Sequence, residues 1–186
     1  GFSGLPDGYA HWLIKFRSSS DGIDAGPMEK AYADMASSAG IEMPETTLLA
    51  LTLSKKETLA FAVKRFDRDD DRKIHMLSLA GGAYANFRVP SMDYEDILSY
   101  TWHLTACHEE VRKMYTLAVF NAFLHNADDH VKNFAYLYKN EKWQVAPGYD
   151  LTVFMDTKRQ HSSSYLGKGI PTSETLRQLA TKFSIS

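Results

Sequence analysis

The chain has 186 residues, of which 44% are hydrophobic, 24% charged and 12% aromatic. This balance is typical of a globular protein that is long enough to bury a core. Its 21 basic and 23 acidic side chains nearly cancel, so charge gives no reason to expect direct binding to nucleic acid or to an acidic membrane surface. The single cysteine, Cys107, excludes an internal disulfide, and no segment approaches the about 20 consecutive apolar residues of a membrane span.

The beginning and end of the chain look cut. Residues 1–6 have neither the basic start nor the apolar stretch of a secretory signal peptide, so we expect none. Together with the single cysteine, this favours a protein of the reducing cytoplasm that does not bind membranes. The chain lacks an initiator methionine and stops abruptly at Ser186, so we expect a fragment that is incomplete at both ends.

The first third of the chain has the pattern of a small sheet with one helix. Aromatic, branched and alternating residues predict three strands, over residues 9–16, 46–53 and 58–66. Helical spacing predicts a helix over 28–38, with Pro27 in its first turn and Gly40 just past its end. Two polar segments, 18–22 and 67–73, are predicted to be loops, and the second is expected to be solvated because all its residues are charged.

The rest of the chain is predominantly helical in pattern. Apolar spacing predicts helices over 94–105 and 109–126, and another that begins near Ser173. Asp93 is a suitable N-cap for the first of these helices, and Cys107 is expected to pack against a helix. Two short strands are predicted over 133–138 and 142–146, around a turn at 139–141.

The change from strands to helices indicates an α+β chain of two lobes, joined near residues 66–73. We predict a small β-rich lobe over 1–68 and a larger helical lobe over 69–186. Sequence repeats and low-complexity tracts are absent, so no repeat architecture is indicated.

The densest group of polar residues, 125–133, lies between a predicted helix and a predicted strand. On composition alone, a surface turn is favoured over a functional site. The five-residue spacing of Asp128 and Asn133 matches the catalytic loop of protein kinases, in which an Asp accepts the substrate hydroxyl proton and an Asn binds magnesium. A predicted hairpin then leads to Asp150, 17 residues after Asn133, where kinases place a second metal-binding Asp.

Three upstream features stand in the order that a kinase requires. Lys15 ends the first predicted strand, where a kinase keeps the lysine that pairs with nucleotide phosphates, and Glu29 could orient it as an ion pair. The third strand ends at Lys64, Arg65 and Phe66, the place of the inter-lobe hinge whose backbone would bind adenine. Each residue alone is more simply explained as part of the surface, but five features in the correct order favour a kinase.

Five segments then carry a resemblance over most of the chain. They are M-E-K-A-Y from Met28, G-I-E-M-P from Gly40, A-V-K-R-F-D-R from Ala62, N-A-D-D-H-V-K-N-F from Asn126 and A-P-G-Y-D-L from Ala146. The sequence resembles the HipA-like serine/threonine kinases, the toxins of bacterial toxin–antitoxin systems. The combination of R-F-D-R with D-[DG]-H-x-K-N is highly specific for that family.

The resemblance implies a two-lobed protein-kinase-like fold and phosphoryl transfer from ATP with Mg²⁺ to serine or threonine of a protein substrate. By resemblance, Asp128 is the catalytic base, Asn133 and Asp150 are the magnesium ligands, and Lys15 is the phosphate-binding lysine. The hinge that contacts adenine corresponds to Lys64, Arg65 and Phe66. The rest of the implied nucleotide pocket consists of His130, Val131, Lys132 and Tyr149.

The chain departs from the family in several places. The position of Lys64 is often acidic in the family, so a side-chain contact to the adenine amine is not expected, whereas backbone contacts are. Upstream of Lys15, no segment matches the Ser/Gly-rich phosphate loop in which the family is autophosphorylated. The small N-terminal subdomain and the last helices of the family are also missing, which raises the expectation of weak or absent activity.

The resemblance also implies partners. The usual partner of the family is a DNA-binding antitoxin, HipB, so we expect a HipB-like antitoxin and association with DNA only through it. The family's targets include aminoacyl-tRNA synthetases, and their phosphorylation promotes growth arrest. Neither the substrate nor the antitoxin can be named from the sequence.

Two alternatives stay open. The first is a non-catalytic, kinase-like module that only binds nucleotide or a partner. The second is a metal hydrolase built on Asp128, Asp129 and His130, which is disfavoured because three adjacent residues rarely converge on one metal.

Overall fold

The computed structural model of the chain describes residues 5–16, 22, 24–53, 56–70, 72–83, 92–152 and 161–185. It has two compact units. The first unit comprises residues 1–74 and 147–152, and the second comprises 75–146 and 153–186. The predicted division after residue 68 stays a prediction. The predicted loop over 18–22 lies, apart from Gly22, outside the described residues.

The first unit is built on an antiparallel sheet with the strand order β1-β3-β2. Its elements are β1 (Trp12–Lys15), α1 (Ala25–Ser38), β2 (Thr46–Leu53) and β3 (Lys56–Lys64). Helix α1 buries Tyr32, Ala33 and Ala36, and strand β3 buries Phe61 between two alanines. The helix starts close to β3, because a Cβ on Gly26 would lie 2.5 Å from the Leu59 carbonyl oxygen. These contacts fix the helix that carries Glu29 against the sheet that carries Lys15.

The predicted strands and helix of this unit are confirmed, with shifts of a few residues at their ends. Gly40 lies just past α1 with a φ of +83°, the left-handed conformation that makes glycine common at this position. The segment 67–73 was predicted to be a solvated loop; residues 69, 70, 72 and 73 are exposed as expected, but the loop assignment was wrong. Two short strands, β4 (Arg68–Asp69) and β5 (Arg72–Lys73), pair there as a tight antiparallel hairpin. The charged sequence did not reveal this hairpin, because it pairs through its backbone and an Arg72–Asp69 ion pair and needs no apolar face.

The second unit combines a three-stranded sheet, in the order β6-β7-β8, with helices. Its elements are β6 (His75–Ser78), α2 (Leu79–Gly82), α3 (Tyr94–Thr105), α4 (His108–Phe123), a 3₁₀ turn (Val131–Asn133), β7 (Ala135–Lys139), β8 (Lys142–Val145) and α5 (Ser173–Lys182). The core contains Tyr94, Ile97, Met114, Tyr136 and Leu179, all fully buried.

The helices and strands predicted for this unit are confirmed, α3 to the residue and the others with shifts of up to three residues at their ends. Helix α3 spans the predicted range, and the Asp93 carboxylate accepts a hydrogen bond from the Glu95 amide at 2.9 Å, as an N-cap should. The β7–β8 turn has Asn140 and Glu141 at positive φ, the signature of a type I′ hairpin. Cys107 does not pack against a helix: it is exposed and stands at the N-cap position of α4 without a side-chain capping bond. None of the described helices is long and apolar enough to cross a bilayer.

Candidate active site

Within the first unit, Lys15 lies between two carboxylates. Its ammonium donates to Glu29 Oε1 on α1 and to Asp150 Oδ1, the latter at 2.6 Å. The predicted ion pair of Lys15 with Glu29 is therefore present, and Asp150 joins it from the 147–152 segment. The strand, the helix and the returning segment each contribute one charge, so the cluster depends on the tertiary fold of this unit.

Burial and charge act against each other in this cluster. Burial would lower the pKa of Lys15, but its bonds to Asp150 and Glu29 outweigh burial and raise that pKa. Burial raises the pKa of Glu29, and the ion pair with Lys15 offsets this only in part. Lys15 thus stays a cation between two carboxylates.

The segment that carries Asp150 is docked by close backbone contact. The Gly148 amide donates to the Glu42 carbonyl at 2.8 Å, and a Cβ on Gly148 would lie 2.8 Å from Met43 Sδ and 3.2 Å from Ile41 Cγ2. Any side chain at this position would force Met43 and Ile41 to move. Asp150 follows with a φ of +55°, a left-handed conformation that Asp tolerates better than most residues. The G-I-E-M-P and A-P-G-Y-D-L segments therefore pack against each other, and this packing positions the Asp150 carboxylate.

The predicted hinge is partly occupied by its own unit. The Lys64 amide donates to the Glu45 carbonyl at 2.9 Å, and the Arg65 amide donates to the His11 carbonyl at 2.8 Å. Any contact of this segment with an adenine must therefore use other groups. The Phe66 ring lies 5.8 Å from the Tyr149 ring, which brings two predicted pocket residues together. Burial, together with the nearby charge of Asp150, raises the pKa of Tyr149, so its phenol stays neutral.

Asp67 is a residue of this unit whose role sequence reasoning missed. Its carboxylate accepts two bonds from the Arg65 guanidinium, at 2.8 and 2.6 Å, and one from Arg68 at 2.6 Å. The Arg65 bond is the largest cause that lowers the pKa of Asp67. The R-F-D-R element is thus an ion-pair cluster at the end of β3, and the Arg65 side chain is engaged there. The alternation of opposite charges was the signal that could have indicated it.

Within the second unit, the segment 126–133 that joins α4 to β7 carries the predicted catalytic residues. We call this segment the strap. His130 Nε2 lies 3.2 Å from Asp128 Oδ1, and both side chains are about one-third exposed. The Asn133 amide donates to the Asp128 backbone carbonyl at 2.8 Å, so the strap is folded back on itself. The Val131 side chain is buried, whereas Lys132 is exposed on the 3₁₀ turn.

Asp129 has a different environment from its neighbour Asp128. Its side chain is fully buried, and its carboxylate accepts bonds from the Tyr94 hydroxyl, the His161 ring and the Ser163 amide, each at 3.0 Å. Asp129 and Asp128 therefore do not converge on one ligand. In the described parts of the chain, no group of three metal-ligating side chains is assembled. The metal-hydrolase alternative has no support in this arrangement.

The chemistry of the predicted metal ligands suits Mg²⁺. Asp150 offers a carboxylate that is 45% exposed, and Asn133 offers an amide oxygen, both hard oxygen donors of the kind that Mg²⁺ prefers. The amide nitrogen of Asn133 is engaged with the strap backbone, which orients the side chain and leaves its Oδ1 for another partner. One oxygen of this carboxylate, Oδ1, accepts the Lys15 ammonium at 2.6 Å.

Two curated relatives match part of the chain. A Haemophilus influenzae protein, provisionally named a kinase, is 28% identical over 134 residues, which are 66% of this chain and 39% of that protein. A Sinorhizobium fredii protein, Y4dM, also provisionally named a kinase, is 24% identical over 153 residues, 75% of this chain and 36% of its own. The chain thus spans less than two-fifths of the length of these relatives.

Two solved structures share the fold. The structure of HipA from Shewanella oneidensis MR-1, in a toxin–antitoxin complex with HipB and operator DNA, matches all of this chain and 51% of its own with a TM-score of 0.76 at 15% identity. The proinflammatory kinase CtkA from Helicobacter pylori matches 97% of this chain and 76% of its own with a TM-score of 0.66 at 14% identity. The α+β, kinase-like fold predicted from the sequence is confirmed by these matches.

The family described as the HipA-like C-terminal domain matches residues 4–185, almost the whole chain. The match agrees with the fold of the solved structures and with the kinase names of the curated relatives. The chain therefore belongs to the HipA-like C-terminal domain family.

Proposed function

We propose that this chain carries the catalytic site of an ATP-dependent kinase that phosphorylates serine or threonine side chains of a protein. The observation that carries the proposal is the position of Lys15 between Glu29 and Asp150. A lysine that only solubilises the surface has no need of two carboxylates from two other elements. A lysine that must meet nucleotide phosphates beside a metal ligand has such a need.

The residues of the chain would act by placement and by charge, because phosphoryl transfer requires little covalent chemistry from the protein. In this proposal Asp128 accepts the proton of the attacking hydroxyl, and His130 holds its carboxylate at 3.2 Å. Lys15 and Lys132 contribute positive charge to the phosphates. Asn133 completes the site by fixing the Asp128 backbone through its amide nitrogen.

The nucleotide would be held through its metal ion and through the hinge. Asn133 and Asp150 are the proposed ligands of Mg²⁺, which when bound neutralises charge on the phosphates. The adenine is proposed to lie against the hinge, where Phe66 and Tyr149 already form an aromatic pair. Because the amides of Lys64 and Arg65 are engaged in the first unit, we expect the adenine to use the remaining groups of the hinge.

The biological role is proposed by analogy. HipA of Shewanella oneidensis was solved with HipB and operator DNA, so a HipB-like antitoxin is the proposed partner of this chain, with DNA association only through that partner. A protein target, such as an aminoacyl-tRNA synthetase, and a cytoplasmic location complete this proposal. The near-neutral composition of the chain is consistent with indirect contact to DNA.

Binding tests the metal assignment. ATP affinity is measured by calorimetry with and without Mg²⁺ for the wild type, for Asp150→Asn and for Asp34→Asn. Asp34 is the matched control, because it is an exposed carboxylate of the same unit that pairs with Lys30 within one helix. We expect Mg²⁺ to strengthen binding in the wild type and in the control but not in Asp150→Asn. Equal metal dependence in all three would refute the assignment.

Catalysis is tested by ADP release in the presence of Mg²⁺ and dephosphorylated casein, a general acceptor of phosphate. We expect Asp128→Ala to abolish turnover while ATP binding is retained, and the exposed Asp96→Ala to leave turnover unchanged. ATP binding without turnover in the wild type would instead support the non-catalytic, nucleotide-binding alternative.

A further inference from the structure

The strap has no regular backbone pairing around Asp128, yet three consecutive carbonyl groups each accept a hydrogen bond. The Ala127 carbonyl accepts from the Ser162 amide and hydroxyl, both at 3.0 Å. The Asp128 carbonyl accepts from Asn133 at 2.8 Å, and the Asp129 carbonyl accepts from the Ser163 hydroxyl at 2.6 Å. Each peptide group from Ala127 to Asp129 is therefore held in place by its own hydrogen bond.

The Asp129 side chain reinforces the same connection. It is buried, and it accepts from the His161 ring and from the Ser163 amide, so two of its three donors come from the segment that meets the strap carbonyls. The third donor, the Tyr94 hydroxyl, ties the carboxylate to α3. A buried carboxylate requires such partners, because a buried charge without them is strongly unfavourable. Asp129 thus anchors the strap to α3 and to the segment 161–163.

We propose that Asp129, His161, Ser162 and Ser163 form a clamp that positions Asp128 for proton acceptance. This inference rests on the proposed kinase function. The clamp residues are positioning residues, since they act on the reaction through the strap. Asp128 itself is part-exposed and contacts His130, so its location is set by the backbone that the clamp holds.

Two neighbouring serines provide a matched test. Ser162→Ala removes a hydroxyl that binds the strap, whereas Ser164→Ala removes a hydroxyl of the same segment that binds Asp93 at 2.6 Å. Each variant loses one hydrogen bond, so a merely structural role would affect both alike. Ser162→Thr keeps the hydroxyl and serves as the rescue, because position 162 is not fully buried. Asp129→Asn removes the charge at the centre of the clamp.

The measurements are kcat and KM for ATP with Mg²⁺ and casein, and the midpoint of denaturant unfolding. We expect kcat to fall about 10-fold in Ser162→Ala and about 100-fold in Asp129→Asn, since small misplacements of a reacting group have effects of this size. KM for ATP should stay unchanged, Ser162→Thr should restore kcat, and Ser164→Ala should keep it. If Asp129→Asn does not fold, the comparison of Ser162→Ala with Ser164→Ala still tests the clamp.

The outcomes separate the clamp from the proposed function. The clamp alone would be overturned if Asp128→Ala lost turnover while Ser162→Ala and Asp129→Asn turned over as fast as the wild type. Equal losses of kcat in Ser162→Ala and Ser164→Ala would also overturn it, since the effect would then be general destabilisation. A wild type without turnover, or turnover independent of Asp128, would overturn the kinase proposal and the clamp with it.

Discussion

Replacement of Asp93 by alanine is expected to destabilise the second unit more than the loss of an ordinary helix cap. The Asp93 carboxylate accepts the Glu95 amide at 2.9 Å, which caps α3. It also accepts the Leu166 amide at 3.0 Å, the Gly167 amide at 2.7 Å and the Ser164 hydroxyl at 2.6 Å. One side chain therefore caps a helix and holds a turn more than 70 residues away in the sequence.

The size of the effect follows from these four bonds. Loss of an N-cap side chain costs about 1 kcal/mol. Each further hydrogen bond to a charged acceptor contributes about 1 kcal/mol where water can replace it in part, as at the exposed Gly167 amide. Since the contributions of neighbouring bonds are not additive, the free energy of unfolding should fall by about 2–4 kcal/mol.

Asp96→Ala is the matched control. Asp96 lies in the first turn of the same helix but is exposed, so its removal affects only the interaction with the helix dipole, about 0.3–1 kcal/mol. Urea unfolding followed by circular dichroism gives both values, with an unchanged m-value as the condition for comparing them. An equal loss in the two variants would refute the reasoning, because it would mean that the bonds to 164–167 contribute nothing.

The pH dependence gives an independent check on Asp93. Burial would raise the pKa of Asp93, but the bonds that it accepts from Gly167, Ser164, Glu95 and Leu166 outweigh burial and lower it below its ordinary value of 3.8. A lowered pKa in the folded state means that the stabilisation is fully present above pH 3.8 and is lost as the pH falls through the folded-state value. The stability difference between the wild type and Asp93→Asn should therefore shrink below pH 3.8, and a constant difference would contradict this assignment.

Two further pairs of variants test the packing of each unit. Glu110→Ala removes the buried acceptor of the Val145 amide, at 2.6 Å, and should cost about 2–4 kcal/mol in urea unfolding. Glu109→Ala, which removes an exposed ion pair and an acidic side chain in the first turn of the same helix, should cost clearly less. Gly148→Ala would place a Cβ 2.8 Å from a methionine sulfur and should destabilise the first unit by about 1–3 kcal/mol and weaken ATP binding, whereas Gly22→Ala, with open space around it, should do neither.

The predictions that were confirmed in detail depend on local signals. Asp93 predicts the start of α3, because an N-cap side chain bonds an amide only two residues away. Gly40 predicts the end of α1, because few other residues adopt a left-handed φ. The β2–β3 hairpin follows from alternation in two adjacent segments. Elements that depend on interactions between residues close in the sequence can therefore be predicted from the sequence.

The predictions that failed or were not made depend on distant partners. Strand β6 (His75–Ser78) pairs with β7, which begins nearly 60 residues later, and its own four residues carry no clear alternation. The hairpin at 68–73 is formed by backbone bonds between charged residues, which composition assigns to a loop. Cys107 is exposed because the turn between α3 and α4 places it outside, which its small size and apolar character do not reveal.

The candidate site also has features that the sequence predicted and features that it did not. The spacing of Asp128 and Asn133 and the order of Lys15, Glu29 and Asp150 were visible in the sequence, and the structure places Lys15 against both carboxylates. The groups that hold these residues were not visible, because their bonds join segments that are far apart. The Gly148 amide reaches back about 100 residues to the Glu42 carbonyl, and Asp129 reaches forward more than 30 to its partners.

The adjacent acids Asp128 and Asp129 illustrate why residue type alone cannot assign a role. The family pattern accepts either Asp or Gly at the second position, which would suggest a position free of function. In this chain that carboxylate takes three hydrogen bonds in a buried site, whereas the first carboxylate is part-exposed. A glycine at 129 would keep the carbonyl that Ser163 binds but would lose every bond to the carboxylate. The strap would then be held through its backbone carbonyls alone, without the buried carboxylate that ties it to Tyr94, His161 and the Ser163 amide.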